Sequence, residues 1–325
     1  MRDDVQRWTQ RSSYRSDHWS ARALAGLKEG TRVSVVLPAH NEQSTVGAIV
    51  AAIRRDLMEA VPLVDELVVI DSHSTDRTAE VARRAGARVV HQSAVLPELG
   101  DRRGKGEALW KSLQVTTGDV IAFVDADLRD FDTQFVVGLL GPLLSHPGLS
   151  FVKAFYDRPL ANGDTVHPTG GGRVTELVAR PLLNLHWPVL AGLVQPLAGE
   201  YAARRSVLER IPFVSGYGVE IAMLIDVVEE LGLDAMAQVD LGVRRHRNSD
   251  DAALGRMGAQ VHLAMLSRLE RHGRVVLADE VVPRLTQFVR EQGGFSSVTT
   301  DVSITERPPM ASVASYTRRV GRAPA

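Results

Sequence analysis

The chain has 325 residues, 44% hydrophobic and 24% charged, an ordinary globular composition that excludes extensive disorder and suffices for one large domain or two halves around a cleft. Lysine plus arginine number 38 against 39 for aspartate plus glutamate, so there is no overall positive charge to hold a nucleic-acid backbone, and any anion site must be local. Cysteine is absent, which excludes disulfides, thiolate metal sites and a cysteine nucleophile together and agrees with a reducing, cytoplasmic setting.

Residues 1–29 read as a polar, arginine-bearing arm without the continuous apolar core of a secretory signal. Trp8, Tyr14 and Trp19 are the residues able to pin it to the body or to a second subunit; a solvated arm is the alternative. From Arg32 strands and helices alternate. Val33 to Leu37 predicts a strand ended by Pro38, and Ser44 to Leu57 a helix, with Val46, Ile49, Val50, Ile53 and Leu57 at helical spacing. Leu67 to Ile70 predicts a second strand. Asp71 to Thr78 then leads into an Ala/Arg-rich helix, with Ser74, Thr75 or Asp76 as its cap and Gly86 as its close. Arg88 to His91 reads as a third strand, Gly106 to Thr117 as a helix and Val120 to Val124 as a fourth strand. Such alternation implies right-handed crossovers and an α/β architecture with a Rossmann-like, mostly parallel sheet.

The fourth strand runs straight into Asp125-Ala126-Asp127. A short apolar run suits a central strand covered on both faces, and the ligand crevice of a parallel sheet lies at the carboxyl ends of its strands. Two carboxylates one residue apart let one side chain face a ligand while the other grips a cation. Mg²⁺ and Mn²⁺ take hard oxygen ligands, commonly one or two carboxylates plus substrate phosphates, which makes a diphosphate the matching third party. Taken alone, an Asp-x-Asp more often starts a solvated turn. The first strand is followed by Pro38-Ala-His-Asn-Glu42 rather than Gly-x-Gly-x-x-Gly, which argues against a nicotinamide or flavin enzyme, and a Walker loop is absent as well. Glu42 and Asp71, each just past a strand, are acceptors for a base or ribose, or simply turn residues.

In the second half, Gly170, Gly171 and Gly172 precede a helix predicted from about Val174. Exposed backbone N–H groups at a helix N-terminus favour an anion, and Arg173 and Thr175 add a fork of donors and a hydroxyl, so the stretch reads as a phosphate site; a flexible linker is the alternative. Leu177 to Leu197 is loosely apolar but contains Arg180, Pro181, His186, Pro188 and Pro196, which spoils a membrane-spanning helix and leaves core or dimer interface. Val219 to Leu231 and Ala252 to Arg271 predict helices covering the second half. The tail from about Glu291, with glycines, a Ser/Thr run and Pro308-Pro309, reads as loosely packed or partner-contacting. The resulting division is an arm at 1–29, a nucleotide-binding half at 30–150, a second half at 151–272 and a C-terminal helix and tail at 273–325.

Together the motifs say more than each alone. Pro38 to Glu42, Asp71-Ser-His-Ser-Thr-Asp76, Gly104-Lys-Gly-Glu-Ala108 and Asp125-Ala-Asp127 resemble, in order and spacing, the nucleotide-sugar glycosyltransferases of the GT-A fold. Thr169 to Leu183, Gln195 to Ala202, Gly216-Tyr-Gly-Val-Glu220 and Leu241 to Asn248 narrow the resemblance to the actinobacterial glucosyl-3-phosphoglycerate synthases and the related mannosyl-3-phosphoglycerate synthases, a retaining family. It extends from about Arg32 to Asn248.

The resemblance implies residue roles. Pro38, Ala39, His40 and Glu42 would border the nucleoside, with Asp71, Ser72 and Lys105 reaching the base, ribose or phosphates and Asp125 and Ala126 the ribose or sugar. Asp127 and His246 would hold Mg²⁺ or Mn²⁺ against the diphosphate. Gly170, Gly171, Gly172, Arg173, Thr175, Tyr217, Arg244 and Asn248 would bind 3-phosphoglycerate. Glu220 would hydrogen-bond sugar hydroxyls, and Leu197 to Glu200 would line the reaction centre, making Asp127, Glu220, Leu197 and Arg173 the catalytic set. With no securely placed nucleophile, the expected route is front-face attack with the departing phosphate taking the acceptor proton. His40 and His73 depart from the smaller or apolar residues of the mycobacterial glucosyl enzymes, so UDP-glucose, GDP-glucose and GDP-mannose all stay open as donors. The expected protein is a cytoplasmic homodimer without membrane insertion. A polyprenyl-phosphate glycosyltransferase and a non-catalytic nucleotide-sugar sensor are the competing readings.

Overall fold

The computed structural model describes residues 1–157, 160–162, 165–167, 172–244 and 250–321. In chain order its strands are β1 (Ser13–Arg15), β2 (Val33–Ala39), β3 (Glu66–Asp71), β4 (Arg88–His91), β5 (Val120–Phe123), β6 (Phe151–Asp157), β7 (Leu160–Asn162), β8 (Thr165–His167), β9 (Tyr201–Arg204), β10 (Phe213–Val214), β11 (Met236–Val243), β12 (Arg284–Glu291), β13 (Gly294–Asp301) and β14 (Glu306–Arg307). Eight of them make the central sheet, in the order β1-β11-β6-β9-β5-β2-β3-β4. All its pairings are parallel except those of β9, which runs antiparallel to both β5 and β6.

The strands are short apolar runs because both faces of the sheet are buried. In β2, Val33, Val35 and Leu37 enter one core, with Val46, Ile49, Val50 and Ile53 of the helix Val46–Ile53 and with Leu139 and Leu140 of the helix Gln134–Ser145. Val36 points the other way, to a second core shared with Leu109 and Trp110 of the helix Lys105–Val115 and Ile221 and Leu224 of the helix Val219–Leu231. The register aligns Ala39 with Asp71 and Val36 with Phe123, so β2, β3 and β5 end on one edge of the sheet. Because β9 is reversed, it starts at that same edge, and the residues just before it, Gly199 and Glu200, meet the end of β5.

Most of the expected elements form. The first helix continues into a π-helical turn, Arg54–Glu59; the next, Thr78–Ala85, closes on Gly86 at φ +103°, where a glycine is needed. Asp76 accepts from the Thr78 amide at 2.9 Å. Leu183, Trp187, Leu190 and Leu193, from the apolar stretch that cannot span a membrane, lie in the core, and no described helix is long and apolar enough to cross a bilayer.

Two expectations are corrected. The solvated alternative for the N-terminal arm fails: its helix Asp3–Ser12 buries Val5, Trp8 and Ser12, one face of three turns, and β1 then adds a parallel strand to the sheet beside β11. The Trp8 indole donates to the Met236 carbonyl at 2.9 Å, and the Trp19 indole to Ser145 Oγ at 3.0 Å. The tail is loose only in part. The β12–β13 hairpin leaves Phe288 and Phe295 exposed, but the chain then returns to pair β14 with β10, and Arg307 grips Glu107 with two bonds of 2.6 and 2.7 Å. Met310 and Tyr316 finish in the core. The proposed boundary at residue 150 separates no independent layers, since the central sheet takes strands from both sides of it.

Candidate active site

A cleft of about 770 Å³ opens where β2, β3 and β5 end. Pro38, Ala39, His40 and Glu42 enter it from β2, Ser72 and His73 from the turn after β3, and Asp125, Ala126 and Asp127 from β5. Lys105 reaches it from the first turn of the helix Lys105–Val115, and Gly172, Arg173, Thr175, Leu197, Tyr217, Glu220 and Arg244 complete the walls. Motifs far apart in sequence thus converge on one site. Leu254, Met257 and Gln260 of the helix Asp251–Arg271 close the far side, as expected of a covering helix.

The glycines explain how Lys105 is placed. Gly104 sits at φ +120°, and a Cβ on Gly106 would lie 1.7 Å from the Val214 carbonyl oxygen, so the helix start can seat itself against residues 214–216 only with glycine on both sides of the lysine. A Cβ on Gly199 would come within 2.1 Å of Asp125 Oδ2 and 2.6 Å of Lys105 Nζ.

The cleft floor is an ion network. Lys105 Nζ donates to Asp125 Oδ1 at 2.5 Å and lies 3.1 Å from Glu220 Oε1. Arg244 donates to Asp125 Oδ2 at 3.0 Å, to Asp127 Oδ1 at 2.9 Å and to the Tyr156 hydroxyl at 2.7 Å, and its guanidinium is 3.4 Å from Glu200 Oε1. Burial pushes Asp125 up, but Lys105 and Arg244 outweigh it and hold the carboxyl below its ordinary range. Burial alone would lower Lys105; Asp125 and Glu220 keep it well above the usual lysine range. On the opposite wall Glu42 has no such cation. Burial first, then the charges of Asp127 and Asp125, push it up to about 7.

At the β2–β3 end, His40 Nδ1 donates to the Ser72 carbonyl at 2.6 Å, which leaves Nε2 as its second function. His73, at φ +60°, places Nε2 2.8 Å from Asp101 Oδ2.

Not every sequence candidate reaches the cleft. Asp71 is a correction: it is buried, paired at 2.8 Å with His91 on the neighbouring strand and accepting from the Ser74 amide, and it does not line the cleft. A strand-end carboxylate has the same sequence signature whether it turns toward a ligand or toward the next strand. Gly170, Gly171, His246 and Asn248 lie outside the described residues. Arg173 is half exposed and bound at 2.5 Å to Asp251. Arg244, expected at the acceptor, instead clamps Asp125 and Asp127, and Glu200 lies fully buried behind it. Sequence reading missed Arg103, which also lines the cleft and whose signal is its place just before Gly104-Lys-Gly106.

Among the described residues no three His, Asp or Glu side chains form a metal-binding set. Asp127 is nevertheless the kind of ligand a hard divalent cation uses when phosphate oxygens supply the rest of its shell. Glu42, pushed up mainly by its own burial and then by the charges of Asp127 and Asp125, adds a third carboxyl to this part of the cleft.

A family model described as glycosyl transferase family 2 matches residues 34–210. The chain is 42% identical to a glucosyl-3-phosphoglycerate synthase of Petrotoga mobilis, over 99% of each sequence. Among solved structures it is similar to mannosyl-3-phosphoglycerate synthase from Rubrobacter xylanophilus, with a TM-score of 0.87 and 42% identity over 94% of this chain and 97% of that one. It is also similar to glucosyl-3-phosphoglycerate synthase from Mycobacterium tuberculosis in complex with Mn²⁺, UDP-glucose and phosphoglyceric acid, with a TM-score of 0.79 and 47% identity over 90% and 94%.

Proposed function

Since the chain belongs to glycosyl transferase family 2, we propose that it transfers glucose from UDP-glucose to the 2-hydroxyl of 3-phosphoglycerate with retention of the α configuration. The observation that carries this reading is the convergence in one cleft of the strand-end motifs, Lys105 and the Gly172–Thr175 turn, in a chain similar along most of its length to an enzyme solved with that donor and acceptor.

His40, Ser72 and Glu42 border the nucleoside, and Lys105 meets the diphosphate. Asp127, with His246, holds Mg²⁺ or Mn²⁺. The ion, when bound, offsets negative charge on the departing nucleoside diphosphate. Arg244 then has to yield its bond to Asp127, which frees a guanidinium for the acceptor. Gly172, Arg173, Thr175 and Tyr217 receive the phosphoglycerate, Arg173 through charge-assisted bonds to its phosphate. Glu220 accepts from sugar hydroxyls, and Leu197 lines the reaction centre.

Double displacement requires a free carboxylate beneath the anomeric carbon. Glu200 is buried behind Arg244 and hydrogen-bonded by Tyr156 at 2.7 Å, and Glu220 is engaged by Lys105. Both facts favour front-face attack, in which the departing phosphate takes the acceptor proton. Mannose remains a second reading, supported by the 0.87 TM-score to a mannosyl enzyme and by the polar His40 and His73 at the nucleoside end. Assaying UDP-glucose, GDP-glucose and GDP-mannose side by side with 3-phosphoglycerate tests both. Turnover with none of them refutes the proposal.

A further inference from the structure

Beneath the cleft floor lies a lysine with no acceptor. Lys153, in the middle of β6 and paired in register with Tyr201 of β9 and Gln238 of β11, is 1% exposed. Its ammonium makes no hydrogen bond among the described residues, and the buried Tyr201 hydroxyl makes none either. The Tyr201 ring centroid is 4.5 Å from Nζ. An ammonium held out of water without an acceptor destabilises a fold, and an apolar side chain of similar length removes the cost. The cation–π contact with Tyr201 offsets only part of that cost, so the fold alone gives little reason for a lysine here.

Its charged surroundings belong to the site. Glu220 from the helix Val219–Leu231 acts on it most strongly, followed by Lys105 from the helix Lys105–Val115, Glu200 from the turn before β9 and Asp125 from the end of β5. Burial dominates all four and brings the lysine down to about 7, so both protonation states are accessible near neutrality.

Lys105 serves two carboxylates at once, Asp125 and Glu220. A nucleoside diphosphate in the cleft competes with both for that ammonium. Resting on the nucleotide-sugar reading of the cleft, we propose that Lys153 is a positioning residue that takes over the charge of Glu220 from below when the donor's diphosphate draws Lys105 away, so that the carboxylate stays paired and aimed at the sugar.

The test is a double-mutant cycle of Lys153→Met and Glu220→Gln, with melting temperature, UDP affinity by calorimetry, kcat and donor KM measured for each protein. Lys153→Met is expected to melt no lower than the parent at pH 7 and to bind UDP within about twofold, while kcat falls about 10- to 100-fold with donor KM little changed. The double variant should lose no more than Glu220→Gln alone, because the lysine acts through that carboxylate. A Lys153→Met protein that melts lower or does not fold overturns the proposal, as do an unchanged kcat and additive losses in the double variant. A parent inert with every nucleotide-sugar refutes the reading of the cleft; an active parent with additive losses refutes only the role of the lysine.

Discussion

Lys153 also makes a prediction that needs no substrate. Its ammonium titrates near 7 in the folded chain against an ordinary lysine value of 10.5, so between those values the unfolded chain binds the extra proton and stability rises with pH. The sign follows from burial: the folded state disfavours the charge, the penalty is fully present below about pH 7, and it fades as pH climbs toward 10.5. At 1.36 kcal/mol per unit, and allowing for half-protonation of the folded form at pH 7, moving to pH 9 relieves about 2 kcal/mol. Other groups titrate in this range, but they are shared by parent and variant. Urea unfolding of the parent and Lys153→Met at pH 7, 8 and 9 should therefore show the variant ahead at pH 7 and its lead shrinking by about 2 kcal/mol at pH 9. A constant difference across the three pH values would mean that the lysine does not titrate there and that the burial argument is wrong.

Four other outcomes are expected. Asp127→Ala should fold normally and lose activity by at least about 10- to 100-fold, as should His246→Ala, and full turnover in excess chelator would refute the metal assignment. Glu200→Gln and Glu220→Gln should trap no covalent glycosyl-enzyme, and a sugar adduct on either residue by mass spectrometry would replace front-face attack with double displacement. Arg173→Ala should raise the KM for 3-phosphoglycerate about 10- to 100-fold and leave UDP affinity nearly unchanged; a loss of donor affinity instead would show that the phosphate site is misplaced. The parent should run as a dimer in light scattering, and Phe288→Ser with Phe295→Ser, on the exposed hairpin, should shift it to monomer; an unaltered dimer would place the interface elsewhere.

The parts of the fold that the sequence disclosed are those whose cause is local. Val33 to Leu37 and Val120 to Val124 read as strands because burial on both faces demands an unbroken apolar run, and Gly86 reads as a helix end because a left-handed cap needs glycine. The site was visible for a related reason. Each motif sits at a strand end or a helix start, and a parallel sheet brings such ends to one edge whatever the length of chain between them. What stayed hidden depends on partners distant in sequence. Tyr201–Arg204 carries no strand signature strong enough to announce that it inserts antiparallel between β5 and β6. The pinned tail rests on Arg307 meeting Glu107, 200 residues earlier. Asp71 looked like a ligand because nothing in its own neighbourhood names His91, its actual partner.

Lys153 belongs to neither class. A charged residue inside Phe151-Val-Lys-Ala-Phe-Tyr156 is a plain local violation of strand patterning. Such violations concentrate where function overrides the preferences of the fold. The sequence displayed the anomaly, but only the structure shows that no acceptor answers the ammonium and that the charges of the cleft floor, Glu220, Lys105, Glu200 and Asp125, act on it. Arg244 carries the same logic on the other side of those acids. Its guanidinium bridges Asp125 and Asp127, so the carboxylates at the end of β5 are neutralised by side chains of the cleft itself. Under the proposed function, a diphosphate and a phosphoglycerate would compete with these acids for Lys105 and Arg244, which already stand in the cleft.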